Sequence, residues 1–190
     1  DRVREINSQL NRALARAQTV YNQAPCGYHS VDAKGVYISI NDTELNWLGY
    51  QRHEVVGKKT LNDFVSPQRA KLSGDRLHLL IEQGQLDGTE YELFRRDGTS
   101  FHALVSTSAV RDVSGRFLHS NTTVVDISGR KAAEVALRAS QRFIQAITDH
   151  VPGLISYLDT DLRFRFANAN HLSIYGMDPA TILGKPLSEC

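Results

Sequence analysis

Seven histidines, at positions 29, 53, 78, 102, 119, 150 and 171, and two cysteines, Cys26 and Cys190, are the residues best suited to metal, redox or nucleophilic chemistry. The histidines form no HExxH or other close ligand pairing, so no metal centre is expected. Cys26 has no surrounding motif that would lower a thiol pKa, and it reads as a small packed residue. Gly84 and Gly88 stand isolated rather than in a phosphate-cradling loop. Asp97-Gly98 marks a turn, with Arg95 and Arg96 beside it at a solvated hairpin tip. Catalysis therefore finds no support. What remains is an electrostatic constellation. Asp126 closes a β-prone run, and Ser128-Gly129-Arg130-Lys131 opens a helical one. That spacing places the carboxylate near a helix N-terminus and close to Arg130 or Lys131, where dipole and ion pair would both favour its charged form. As a cap it contributes about 1 kcal/mol. As a contact that breaks when the sheet shifts, it would also carry a signal.

The bulk composition narrows the classes further. The chain has 190 residues, 41% hydrophobic and 23% charged, with 22 Lys+Arg against 21 Asp+Glu. These shares fit a soluble globular protein and exclude collagen, a disulfide scaffold and wholesale disorder. A net charge of +1 leaves no basic footprint, so no nucleic-acid partner is expected. No apolar run approaches the ~20 residues needed to cross a bilayer, and no signal peptide is visible. No membrane contact is expected within this segment, and two distant cysteines fit a reduced, cytoplasmic setting. The start at Asp1 rather than Met points to a piece of a longer protein, whose upstream part could carry an anchor.

The elements that must position these residues begin with a helix. Residues 1–24 hold neither Gly nor Pro, and Val3, Ile6, Leu10, Ala13, Ala17, Val20 and Ala24 recur at alternating intervals of 3 and 4. This a/d seam runs for three heptads, the signature of a coiled coil and hence of a homodimer. A single amphipathic helix lying on its own domain is the other reading. Pro25 and Gly27 end the helix.

Beyond it, Tyr28–Asp32 and Val36–Ile40 are β-prone runs joined by Ala33-Lys34-Gly35. Asn41 with Glu44 three positions later predicts a helix N-cap with capping-box support, and Gly49 a C-terminal stop. A short turn, Arg52 to Val56, stops at Gly57. Pro67 can open a longer helix whose Leu72, Leu77, Leu80 and Ile81 face one way. Three strands follow: Thr89–Arg96, Thr99–Val110 across Asp97-Gly98, and Phe117–Ile127 across Asp112-Val113-Ser114-Gly115. The fold class is thus α+β, a five-stranded antiparallel sheet with helices on one face. A second helix runs over about 129–150, with Ala133, Leu137, Ser140, Ile144 and Ile147 repeating at helix-seam spacing.

The reading then starts over. Shifting the chain by 127 superposes residues 25–63 on 152–190 without a gap, with seven identities: Pro25/Pro152, Asp32/Asp159, Asn41/Asn168, Leu45/Leu172, Gly49/Gly176, Gly57/Gly184 and Lys58/Lys185. Several fall where backbone geometry limits the choice, at turns, caps and stops. A second unit thus begins like the first and is cut at Cys190, before its long helix and last three strands.

At this point a resemblance emerges. The first unit, about 25–127, resembles a PAS sensor domain through Gly27-Tyr28-His29-Ser30-Val31-Asp32, Ile40-Asn41-Asp42-Thr43-Glu44, Leu48-Gly49-Tyr50, Glu54-Val55-Val56-Gly57-Lys58, Arg95-Arg96-Asp97-Gly98-Thr99 and Val125-Asp126-Ile127-Ser128-Gly129-Arg130-Lys131. The tail resembles the opening of a second, truncated PAS domain. The expected organisation is a coiled-coil helix at 1–24, a PAS domain at 25–128, a signalling helix at 129–150 and an incomplete PAS domain at 151–190.

The resemblance implies a bacterial sensory module passing a signal through helices to a sensor histidine kinase. A diguanylate cyclase or phosphodiesterase output, or a ligand-free dimerisation module, are the alternatives. It also implies that Asp126, Arg130 and Lys131 form the signal junction. A pocket between long helix and sheet is implied, with Trp47, Phe64, Leu77, Ile81, Tyr91, Leu93, Val105 and Thr122 as candidate lining for a small-molecule ligand. No cofactor is assigned. The stretch Gly57–Phe64 lacks the reactive cysteine of light-sensing flavin members, leaving non-covalent flavin, or haem on His78, as the cofactor alternatives.

Overall fold

Glycine and asparagine punctuate the chain into short elements, and their positions explain most boundaries. The structure is a computed structural model that describes residues 2–189, apart from the side chains of 71–75. Leu72 therefore lies outside the described side chains. The chain divides into two compact units, Asp1–Lys131 and Ala132–Cys190.

In the first unit, helix α1 (Arg2–Asn22) precedes strands β1 (Gly27–Val31) and β2 (Tyr37–Ile40). Helices α2 (Asp42–Leu48) and α3 (Arg52–Val55), a 3₁₀ turn (Leu61–Asp63) and the longer α4 (Pro67–Gln83) follow. Strands β3 (Gln85–Phe94), β4 (Ser100–Arg111) and β5 (Phe117–Asp126) complete a five-stranded antiparallel sheet of order β2-β1-β5-β4-β3. Asn41 caps α2 by accepting from the Glu44 amide, and Gly49 ends it at φ 77°, where a side chain would strain the backbone. Strand β3 begins four residues before the expected Thr89. A bulge between Leu86 and Thr89, with Gly88 at φ 64°, absorbs the Asp87-Gly88 break that reads as a turn in the sequence.

The core lies between the sheet and the helices. Tyr37, Ile40, Leu48, Val55, Phe64, Ala103 and Val124 are essentially excluded from solvent. Alternation on β4 and β5 sends Phe101, Ala103, Val105, Ser120, Thr122 and Val124 inward and leaves Val125 outside, while Leu118 is exposed at the register shift opposite Val110 and Arg111.

Helix α1 buries none of its residues, and Val3, Ile6, Leu10, Ala13, Ala17 and Val20 are all exposed. Ala24 lies beyond the end of α1, so the continuous helical seam stops at Val20. The proline at 25 forces extended geometry on its predecessor and closes the helix early. Helix α5 (Ser128–His150) likewise leaves Leu137, Ile144 and Ile147 exposed. Among the described residues, no helix is long and apolar enough to cross a membrane.

The second unit contains hairpin β6 (Ser156–Leu158)–β7 (Phe164–Ala167), helices α6 (Asn170–Tyr175) and α7 (Pro179–Ile182), and a 3₁₀ turn (Leu187–Glu189). Its small core is Phe164, Ala167 and Ile182, with Leu158 and Met177 against it.

Candidate functional site

His29 and Glu44 meet inside the first unit, and the pattern of local structure brings them there. Strand alternation turns His29 inward on β1, while Asn41 starts α2 so that Glu44 falls in its first turn, facing the sheet. Both are buried, and His29 Nδ1 lies 2.8 and 3.0 Å from the two Glu44 carboxylate oxygens. The Tyr37 ring stacks against the imidazole at 4.5 Å between centroids. Burial raises the Tyr37 phenol well above its usual pKa, with Glu44 next in the same direction.

The expected capping box is corrected here. The Glu44 side chain does not return to the Asn41 amide, which donates to the Tyr28 carbonyl instead at 2.8 Å. The buried imidazole captures the carboxylate because a buried polar group costs free energy unless it finds a partner.

A cavity of about 180 Å³ opens beside this pair, between α4 and the sheet. Leu77, Tyr91, Leu93, Val105 and Thr122 line it, while Trp47, Phe64 and Ile81 do not. Phe64 is spent in the core, edge-on to Tyr37 and Tyr50, and Trp47 packs edge-on to Phe101. Ile81 sits half-buried on α4 without reaching the cavity. His29, Glu44, Tyr37 and Arg76 are lining residues that sequence reasoning missed. An inward-phased histidine on β1 and an acidic residue in the adjoining first helical turn were the available signals.

His78 is exposed and does not line the cavity, so it offers no axial ligand there. At about 180 Å³ the cavity lies below the ~300 Å³ at which drug-sized sites begin.

From the cavity wall, hydrogen bonds lead to α1. Asn41 Oδ1 accepts from the amides of Tyr28 (3.0 Å) and Glu44 (3.1 Å), while its Nδ2 donates to the carbonyls of Tyr21 and Cys26, both at 2.9 Å. Tyr21 is in the last turn of α1, so one fully buried amide ties the helix end, β1 and α2 together. The second unit reproduces this knot. Asn168 Oδ1 accepts from the Ile155 amide at 3.1 Å, and its Nδ2 donates to the carbonyls of Thr148 (2.8 Å) and Gly153 (2.9 Å). Each of these contacts is the first set displaced by 127 residues. Position 44 becomes His171, which turns back to Asn168 Oδ1 at 3.1 Å, so the buried carboxylate is not repeated.

At the C-terminal end of β5, Asp126 accepts from the Ser128 amide at 2.8 Å and begins α5. The expected ion pair is corrected: Arg130 and Lys131 both bind Glu90 of β3, at 2.9 and 2.5 Å. The first turn of α5 carries them over the neighbouring strand and away from the residue that caps it. Glu90 is held below the usual carboxylate range, chiefly by its hydrogen bond from Lys131, with burial opposing.

A sequence profile of the PAS fold matches residues 15–135, well over half of the chain, and a second matches residues 148–190. The chain belongs to the PAS family. Its PAS domain is a sensory, non-catalytic module, and each matched stretch contains its own asparagine knot. Solved structures agree on the fold. A PAS domain of an HTR-like protein from Haloarcula marismortui matches with TM-score 0.58 and 20% identity over 65% of this chain and 99% of that one. One from Colwellia psychrerythraea gives 0.55 and 16% over 62% and 98%. A domain of a sensory box sensor histidine kinase/response regulator from Geobacter sulfurreducens gives 0.51 and 17% over 62% and 96%. No curated protein matches the chain.

Proposed function

We propose that this PAS region binds a small molecule in the cavity of its first domain and passes the signal along its flanking helices, in a parallel homodimer, to a downstream histidine kinase. One observation carries the reading. Glu44 belongs both to the cavity wall and to the first turn of α2, and the cap of that turn, Asn41, also holds the Tyr21 carbonyl at the end of α1. A ligand that displaces Glu44 therefore acts on a helix end through a single intervening side chain. Packed contacts of this kind switch between discrete arrangements rather than deforming continuously.

The solvent-facing seam of α1 supports a helix-paired dimer, since an apolar stripe at heptad spacing gains most by burial against its own copy. The fold shared with a domain of a sensor histidine kinase/response regulator supports a kinase output. Absence of a membrane-capable helix among the described residues is compatible with a cytoplasmic module.

Sedimentation of the full chain tests the dimer, and native mass spectrometry tests for a co-purifying small molecule. Dimers that carry an extra low-mass species are expected. A tight monomer with no species bound at any concentration would overturn both parts.

A further inference from the structure

The cavity's charges and size restrict what can occupy it. Arg76, half-buried on α4, donates to the Thr89 hydroxyl and lies over the Tyr91 ring, 5.4 Å from its centroid. It lines the cavity and has no carboxylate partner among the described residues. Lys34, on the β1–β2 turn, is the second cation in the lining. Against these two stands Glu44, whose carboxylate is already turned to His29. The rest of the wall is mostly apolar, dominated by Leu77, Leu80, Leu93, Val105 and Val124, with Thr60, Thr107 and Thr122 adding hydroxyls. A 150 Å³ apolar cavity accepts one benzene ring, so about 180 Å³ holds a ring and a small substituent.

Resting on the ligand-sensing reading above, we propose that the cavity takes a small organic monocarboxylate. Its apolar body, about the size of one aromatic ring, fills the leucine–valine wall, and its carboxylate pairs with Arg76. The planar guanidinium suits a carboxylate because two parallel N–H donors match its two oxygens. Thr89 and Tyr91 hold the arginine in place, so little side-chain freedom is lost on binding. Inorganic phosphate or sulfate would satisfy the cations but leave the apolar wall wet. A primary amine would set a cation against Arg76 and Lys34.

Three isosteres test this by calorimetric titration of the full chain at pH 7: benzoate, benzamide and benzylamine. Benzoate is expected to bind at least tenfold more tightly than benzamide, with benzylamine weakest. Arg76→Gln should weaken benzoate at least tenfold while leaving benzamide within about twofold, which also shows that the variant folds. Arg76→Lys should retain part of the preference. Equal binding of benzoate and benzamide, or an unaffected Arg76→Gln, overturns the carboxylate assignment while leaving the cavity a ligand site. Preference for benzylamine overturns it in favour of recognition by Glu44. Failure of all three at millimolar concentration, with no small molecule seen by native mass spectrometry, removes both the assignment and the sensing reading beneath it.

Discussion

Glu44 presents both carboxylate oxygens to a single nitrogen, Nδ1 of His29, at 2.8 and 3.0 Å, in a nearly solvent-free site fifteen residues away along the chain. The pair joins strand β1 to helix α2 and forms one wall of the cavity. Glu44→Ala leaves a buried imidazole nitrogen without its partner. A loss of about 1–3 kcal/mol in urea-unfolding stability is expected. Glu44→Gln should recover part of it, because its amide oxygen can still accept from the ring. Unchanged stability in Glu44→Ala would show that the pair contributes nothing to the fold.

Asn41 makes four side-chain hydrogen bonds from a fully buried position. Its replacement by alanine removes a helix cap and strands the Tyr21 carbonyl at the end of α1 and the Cys26 carbonyl ahead of β1. About 2–4 kcal/mol of destabilisation is expected from these losses combined. Amide exchange gives the more specific readout. Tyr28 and Glu44 should lose protection in Asn41→Ala, and Ile155 in Asn168→Ala. Protection unaltered at those amides would refute the shared knot.

Gly27 is needed for close approach rather than for an unusual backbone. A Cβ there would lie 3.0 Å from both Cβ and Oε2 of Glu44. Gly27→Ala should therefore push Glu44 away from His29 and cost about 1–3 kcal/mol through overpacking. Thermal denaturation together with the His29 ring resonances would reveal it. A variant as stable as the parent, with unmoved resonances, would contradict the close packing.

The α5 junction should weaken in acid. Glu90 has a folded-state pKa below the ordinary 4.5, because Lys131 and Arg130 favour its charged form. A depressed carboxylate contributes stability that is present above its unfolded pKa and is lost as pH falls through the folded one. The stability gap between the parent and Glu90→Gln should thus be widest near neutrality and close at acidic pH. Because the group is exposed, high salt should also narrow the gap. A gap constant with pH would place the effect of Glu90 elsewhere.

The seam of α1 is open to a direct test. Leu10→Glu places a charge in the middle of an apolar stripe, and on the proposed helix-paired dimer the variant should sediment as a monomer. An unchanged mass would direct attention to another interface.

Much of this architecture could be read from the chain alone, and for a common reason. The Asp97-Gly98 hairpin, the Asn41 cap and the Gly49 stop each depend on residues within a few positions of one another, and the repeat at an offset of 127 shows because the same local signals recur. Backbone sterics and local hydrogen bonds decide such features, and those travel with sequence. The tight turns fix the hairpin pairs β1–β2, β3–β4 and β4–β5, whereas the pairing of β1 with β5 that sets the strand order joins distant segments and was not legible in the sequence.

What residue types and spacing left open was the choice among partners of comparable chemistry. Glu44 could have closed a capping box three residues back, yet it turns to His29. Arg130 and Lys131 could have paired with Asp126, yet they reach Glu90, forty residues earlier. Trp47 and Phe64 suited a pocket wall, and core packing consumed them while Arg76 took a place in the lining. Sequence by itself determined the elements, their order and the duplicated frame, because short-range geometry limits them. Only the tertiary structure decided which buried charge meets which donor and which side chains border empty space. Those outcomes depend on distances set by the packing of the whole sheet against its helices.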